Sequence, residues 1–159
     1  MKIKLAKKEI IHFIGIGGIG MSGLSLIMNG QGFKVQGSDI SDNKNIERLK
    51  KEKIKIFLNQ SKKNLEDATI VVVSSAIKKN NPELVEAKRR KIPIIRRGEM
   101  LASIVSLMKN IVVVGSHGKT TTTSLIASIF QETKIDPTII NGGVINSIKN
   151  TAKLGKSDW

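Results

Sequence analysis

The sequence predicts an α/β protein: a parallel β-sheet covered by helices on both faces, followed by the start of a second α/β unit. Three observations predict that class. Short apolar, β-branched runs recur at 10–14, 70–73 and 111–114, with helix-like stretches between them. Two of these runs stop at a glycine, Gly15 and Gly115, and each glycine opens a turn that leads into a helical pattern. Apolar residues make up 40% of the chain and aromatics only 3%, so the core must be built from Ile, Val and Leu, the composition of strands buried on both faces.

The elements follow in order. Ile10 to Ile14 reads as a buried strand, and Met21 to Met28 as a helix. Lys34 to Gln36 is a short strand. Asn45 to Lys53 is an amphipathic helix opened by Ser41-Asp42. Lys55 to Phe57 and Ile70 to Val73 are strands, the second ending at Ser74-Ser75. Pro82 to Arg90 is a helix with proline in its first turn, a position where the missing N–H costs nothing. Ile92 to Ile95 is a strand and Glu99 to Met108 a helix. Asn110 then begins the pattern again, with a strand, the loop around Lys119, a helix through about Phe130 and a strand at Thr138 to Ile140. The expected division is 1–108 and 109–159, the second unit being incomplete because no further βαβ unit follows Gly143.

Gly15-Ile16-Gly17-Gly18-Ile19-Gly20 satisfies G-x-G-x-x-G between a strand and a helix, the context that motif needs. The glycines permit a tight turn, and the helix start offers N–H groups and a positive dipole end to an anion. Asp39, after Gly37-Ser38, stands where an acid can accept hydrogen bonds from a ribose hydroxyl. This pattern fits NAD, FAD or a nucleotide sugar equally, and Ser74-Ser75 reads as well as plain strand termination.

The second turn departs from the usual P-loop spacing, since Val113 stands where the first glycine would be. The shorter Gly115-Ser116-His117-Gly118-Lys119-Thr120-Thr121 keeps the physical roles. Lys119 can reach the β- and γ-phosphates, the Thr120 hydroxyl can bind Mg²⁺, and the backbone amides can cradle oxygens. Thr120 to Thr123 are poor helix formers at a helix start, which ligand contact explains better than stability. His117 suits proton transfer or metal contact, or merely shapes the turn. His12, inside an apolar strand, reads as a hydrogen-bonded core histidine. Catalytic candidates are therefore Lys119, Thr120 and His117.

Composition limits the remaining classes. The net charge is +14 over 159 residues. The basic residues are scattered and few aromatics exist for base stacking, so the excess is assigned to a lysine-rich composition with anionic small ligands and not to nucleic acid. The runs Lys50-Lys51-Glu52-Lys53 and Lys88-Arg89-Arg90-Lys91 fall at helix ends, where positive charge complements the dipole. The absence of cysteine excludes disulfides and thiol chemistry and fits a cytoplasmic protein. No apolar run reaches membrane-spanning length, and the basic Met1-Lys2-Ile3-Lys4-Leu5 lacks a signal-like apolar region.

With both turns in view the chain resembles the Mur ligases. The resemblance runs through Gly15 to Gly23, Gly37-Ser38-Asp39, Ser74-Ser75-Ala76-Ile77, Asn81-Pro82-Glu83, Glu99-Met100-Leu101, the Lys119 loop, Asp136-Pro137-Thr138, Asn141-Gly142-Gly143 and Leu154-Gly155. It implies a Rossmann-like first domain for UDP-N-acetylmuramate and a P-loop-type ATP- and Mg²⁺-binding second domain, of which this chain holds the beginning. A third domain, bringing L-alanine, would be absent. The implied reaction phosphorylates the lactyl carboxylate to an acyl phosphate that the amine of L-alanine attacks, a step of peptidoglycan precursor synthesis and so of cell wall biogenesis, cell shape and cell division. Carried over, Gly15, Gly17, Gly18, Ile19 and Gly20 hold the diphosphate. Ser38 and Asp39 lie near ribose and uracil, Ser74, Ser75 and Ala76 line the same cleft, and Gly115 to Thr121 bind ATP. Gly98 stands where the family usually has Ala, which should loosen that helix start. Lacking the family's acidic metal-binding segment, the chain is expected to bind ligands with little or no turnover. A nicotinamide-dependent oxidoreductase would explain the first turn but leave the Lys119 loop unused, and a non-catalytic nucleotide-binding module is the reading outside enzymes.

Overall fold

The computed structural model describes residues 6–145, 148 and 150–159, so the basic start at Met1 to Leu5 lies outside the described residues. Five strands form one parallel sheet: β1 (Ile10–Ile14), β2 (Lys34–Ser38), β3 (Lys55–Phe57), β4 (Ile70–Val73) and β5 (Ile94–Arg96), in the order β3-β2-β1-β4-β5. β1 is central, paired on both sides and buried at every position after Ile10. The side chains of Ile11 and Phe13 enter one layer of the core with α1 (Ile19–Gly30) and α4 (Arg97–Val105). Ile14 enters the opposite layer with Leu65 and with Leu84 and Ala87 of α3 (Pro82–Arg89). A strand has period two, so a run apolar at every position can satisfy both faces only inside a two-sided sheet. Burying each of these Ile, Leu or Phe side chains contributes about 1.5–3 kcal/mol.

Local chemistry sets the boundaries. α2 (Lys44–Lys51) is capped by Asn43, whose side chain accepts from the N–H groups of Asn45 and Ile46 at 3.0 and 3.2 Å. The expected opening at Ser41-Asp42 is corrected accordingly: Ser41 serves Asp39 instead, donating both its N–H and its hydroxyl to that carboxylate. The strand expected from Ile92 begins at Ile94. Lys91 adopts φ 56°, and the N–H of Ile92 closes α3 by donating to the carbonyl of Ala87 at 2.9 Å, which removes it from the ladder. The helix expected to reach Met108 ends at Val105. Lys50, Lys51, Lys88 and Arg89 do occupy last turns, of α2 and α3.

The run Ile111 to Val114, expected as a buried strand, is not one. It is irregular, with Ile111, Val112 and Val114 more than half exposed. A parallel strand exists only through neighbours on the ladder, and no described segment pairs with this one. Beyond it come α5 (Lys119–Glu132) and an antiparallel pair, β6 (Ile139–Ile145) and β7 (Asn150–Lys153). The strand expected at Thr138 to Ile140 is thus longer, includes Asn141-Gly142-Gly143, and has a partner that the polar sequence of β7 does not announce.

The β6–β7 ribbon packs against α1. Two glycines on one face of α1 allow it: a Cβ at Gly23 would lie 2.8 Å from the Cβ of Ala152, and one at Gly30 would strike Leu154. Arg48 donates to the carbonyl of Ala152 at 3.1 Å, and Lys153 pairs with Asp136 at 2.5 Å. The hydrogen bond from Lys153 holds the Asp136 carboxyl below its ordinary value. Gly98, by contrast, has open space where a side chain would go. Replacing Gly98 with Ala should therefore raise stability by about 0.5–1 kcal/mol through helix propensity. Replacing Gly23 with Ala, in the middle of α1, should lower it by about 1–3 kcal/mol because the ribbon must move. Thermal unfolding of the two variants checks this, and equal shifts of one sign would contradict the close-approach role of Gly23.

Candidate functional site

The first turn lies between the carboxyl ends of β1 and β2. Its backbone donors are largely consumed inside the protein. The carbonyl of Ser38 accepts from the N–H groups of Gly15 and Ile16 at 2.8 and 2.9 Å. The Asp39 carboxylate accepts from the N–H of Gly17 at 2.9 Å, and the N–H of Gly18 returns to the carbonyl of Gly15 at 3.1 Å. The N–H groups left without a protein partner among the described residues are those of Ile19 and Gly20, in the first turn of α1. That helix has no side-chain cap and no acidic residue in its first turn, so its positive end is uncompensated.

Gly15 holds φ 77°, a conformation only glycine adopts freely. Gly17 is needed for a different reason. A Cβ there would sit 2.9 Å from Asp39 Oδ2 and 3.0 Å from both Asn43 Nδ2 and Ile46 Cδ1. Its carbonyl is held by Asn45 Nδ2 at 2.8 Å.

Around this turn the structure gathers most of the first set of expected residues. Asp39 is buried, and its second oxygen is engaged by Ser41. The Ser38 hydroxyl is fully buried and donates to Glu83 at 2.5 Å, so Ser38 serves the turn with its backbone. Ser74 to Ile77 form a turn after β4, closed by Ser74 accepting from the N–H of Ala76 at 3.3 Å, and the Ile77 side chain lies against Gly15. Ser75 and Ala76 are exposed. Because β1 and β4 are neighbours while β2 lies on the other side, these segments meet where strand order reverses, the usual ligand position of open α/β sheets. Two residues here escaped the sequence reading. Arg97, at the start of α4, lays its guanidinium over Gly20. Glu83 is completely buried, yet in sequence it looks like an ordinary first-turn acid of α3.

The second turn precedes α5. Gly118 is the N-cap at φ 77°, and no side chain caps the helix. Lys119 bends back and donates to the carbonyls of Gly115 and Ser116 at 2.6 and 3.0 Å. Thr122 N–H returns to Gly118, which leaves the N–H groups of Lys119, Thr120 and Thr121 open. That donor set fits a phosphate chain. Thr120 faces Gly143 of β6, whose Cβ would lie 3.5 Å from the Thr120 hydroxyl oxygen. His117 is exposed and the structure assigns it no partner. Among the described residues no three His, Asp or Glu side chains converge as metal ligands. The Thr120 hydroxyl, beside the open N–H groups, is the expected residue that could contribute to a Mg²⁺ site. Lys119 and Thr120 also line a largely apolar cleft of about 370 Å³ whose walls include Ile104, Met108, Phe130 and Trp159. His12 is fully buried, with Nδ1 3.3 Å from Gln36 Nε2, as a core histidine should be.

Removing the Asp39 carboxylate strands the Gly17 N–H and the Ser41 donors. Replacing Asp39 with Ala should cost about 1–3 kcal/mol, read as a lower urea midpoint at an unchanged slope. An unchanged midpoint would mean that the carboxylate does not hold the turn.

A family model described as "Mur ligase family, catalytic domain" matches residues 10–109. The chain is 76% identical, over all 159 of its residues, to a UDP-N-acetylmuramate–L-alanine ligase of Pelagibacter ubique, of which it covers 34%. It is 50% identical over 150 residues to the ligase of that name from Brucella ovis, covering 32% of it. The chain thus spans about a third of the length of the curated relatives it matches. Among solved structures it is similar to a UDP-N-acetylmuramate–alanine ligase of Thermotoga maritima, with a TM-score of 0.85 and 33% identity, covering 93% of this chain and 35% of that one. A Neisseria ligase named for UDP-N-acetylmuramate and the peptide L-alanyl-γ-D-glutamyl-meso-diaminopimelate gives 0.82 and 28%, covering 94% of this chain and 48% of that one.

Proposed function

Since the chain belongs to the Mur ligase family, we propose that it is the nucleotide-sugar-binding part, and the beginning of the ATP-binding part, of a ligase joining L-alanine to the lactyl carboxylate of UDP-N-acetylmuramate. The observation that carries this reading is the presence of two anion turns of different build on one chain. One is braced by Asp39 and offers the N–H groups of Ile19 and Gly20. The other offers three N–H groups and a lysine ammonium. Group transfer between two phosphorylated ligands needs both, whereas an NAD-dependent oxidoreductase would use only the first. The names of the relatives support the same choice.

In this reading the diphosphate of the sugar nucleotide lies against the first turn of α1, Asp39 faces the ribose, and Ser74 to Ala76 border the uridine side of the cleft. Residues 109–159 open the ATP-binding unit. Lys119 exchanges its two carbonyl acceptors for phosphate oxygens, because an ammonium–phosphate hydrogen bond is charge-assisted on both sides and outcompetes neutral acceptors. There it offsets charge on the transferring phosphoryl as the carboxylate becomes an acyl phosphate. Mg²⁺ bound beside Thr120 would supply further charge neutralisation. The chain spans about a third of the length of its relatives, and in this reading the remaining parts of the ligase complete the site for turnover. No helix among the described residues is long and apolar enough to cross a membrane, and a reaction between nucleotide and amino acid belongs in the cytoplasm. Peptidoglycan precursor synthesis is the process it would serve.

Calorimetric titration with UDP-N-acetylmuramate, with NAD as control, tests the reading. Saturable binding of the sugar nucleotide is expected. Replacing Gly17 with Val should weaken it at least about tenfold, or 1.4 kcal/mol, by driving Asp39 away. Binding of NAD alone would overturn the proposal.

A further inference from the structure

Beneath the first turn lies a polar cluster drawn from four elements of the fold. His12 of β1, Gln36 and Ser38 of β2, Asn64 of the 3-10 turn at Lys62–Leu65 and Glu83 of α3 are all more than nine-tenths buried. Glu83 is its centre. Oε2 accepts from the Ser38 hydroxyl at 2.5 Å and Oε1 from Asn64 Nδ2 at 2.6 Å. Gln36 Nε2 donates to the carbonyl of Asn64 at 3.0 Å and directs its other hydrogen at His12 Nδ1, 3.3 Å away. Nδ1 is then an acceptor, so the neutral imidazole carries its proton on Nε2, which faces Glu83 Oε2 at 3.5 Å. That nitrogen has no hydrogen-bond partner, and no lysine or arginine pairs with Glu83 among the described residues.

Burying a carboxylate without a lysine or arginine is expensive, and replacing the whole cluster by apolar side chains of similar size would serve stability as well or better. The cluster is therefore read by what it fixes. The hydroxyl it grips belongs to Ser38, whose carbonyl holds Gly15 and Ile16 and whose neighbour Asp39 holds Gly17. We propose that Glu83 is a positioning residue of the nucleotide-sugar site, acting through Ser38 to set the first anion turn. The proposal rests on the function proposed above for its ligand, but not for its structural effect.

The experiment replaces Glu83 with Gln and, separately, Ser38 with Ala, then combines them. Amide hydrogen exchange is followed at Gly15, Ile16 and Gly17, with Val71 and Val72 in the sheet as the reference for global opening. In Glu83→Gln the three turn amides should exchange at least about tenfold faster relative to Val71 and Val72. The affinity for UDP-N-acetylmuramate should fall by a similar factor, and the double variant should be no worse than the poorer single one, because Gln weakens and Ala removes the same charge-assisted link. Unchanged turn amides, equal acceleration at Val71 and Val72, or additive losses in the double variant would each overturn the proposal. If Glu83→Gln does not fold, Ser38→Ala decides the same question, since it cuts the link while leaving the carboxylate. If the unsubstituted chain fails to bind the sugar nucleotide, the ligand assignment falls while the exchange data still decide the positioning role.

Discussion

The glycine-rich turn of this molecule hangs on the last residue of β2 and the residue after it. One carbonyl and one carboxylate there take the N–H groups of three consecutive turn residues, Gly15 to Gly17. This changes how a glycine-rich turn is understood. Most of its backbone donors do not wait for an anion but brace the loop, so that the two N–H groups at the start of α1 are presented in a fixed place. Preorganisation of this kind shifts an ordering cost from binding to folding. It also explains why Gly17 matters: it makes room for Asp39, Asn43 and Ile46 to approach the backbone.

Much of the first hundred residues was legible in the sequence because each signal there is local. Runs rich in Ile and Val announced β1 and β4, proline marked the start of α3, and the glycine spacing located the turn. The errors were at edges decided by single hydrogen bonds, such as the cap at Asn43 and the N–H of Ile92. Residues that depend on distant parts of the chain could not be read. Ile111 to Val114 carries the strongest strand pattern after β4, yet pattern alone does not make a strand without a neighbour. β7 is the reverse case, a polar stretch made into a strand by its pairing with β6. Glu83 was invisible as a site residue because an acid after Asn-Pro at a helix start has a sufficient local explanation in capping and dipole. Only its complete burial against Ser38 distinguishes it.

The two turns proposed to hold anions are braced in different ways. In the first, side chains and carbonyls of neighbouring elements hold the loop open from outside. In the second, the loop's own lysine bridges two of its carbonyls, and its glycines at 115 and 118 adopt positive φ. The first is therefore fixed by the sheet, and the second rests on contacts within a few residues of itself. Its cleft is bounded by α4 and by β6, so the segments flanking the loop connect it to the body carrying the first turn.

The docking of the β6–β7 ribbon on α1 has a consequence for the order of assembly. Contacts such as Arg48 with Ala152 span 104 residues of chain, far more than any pairing within the five-stranded sheet. Closing so long a loop is slow compared with forming successive strand–helix–strand units, and during synthesis the amino-terminal portion emerges first. The sheet and α1 can therefore be complete while the groove at Gly23 and Gly30 still faces solvent. Its covering strand arrives last, as a clasp fastened on an already finished body.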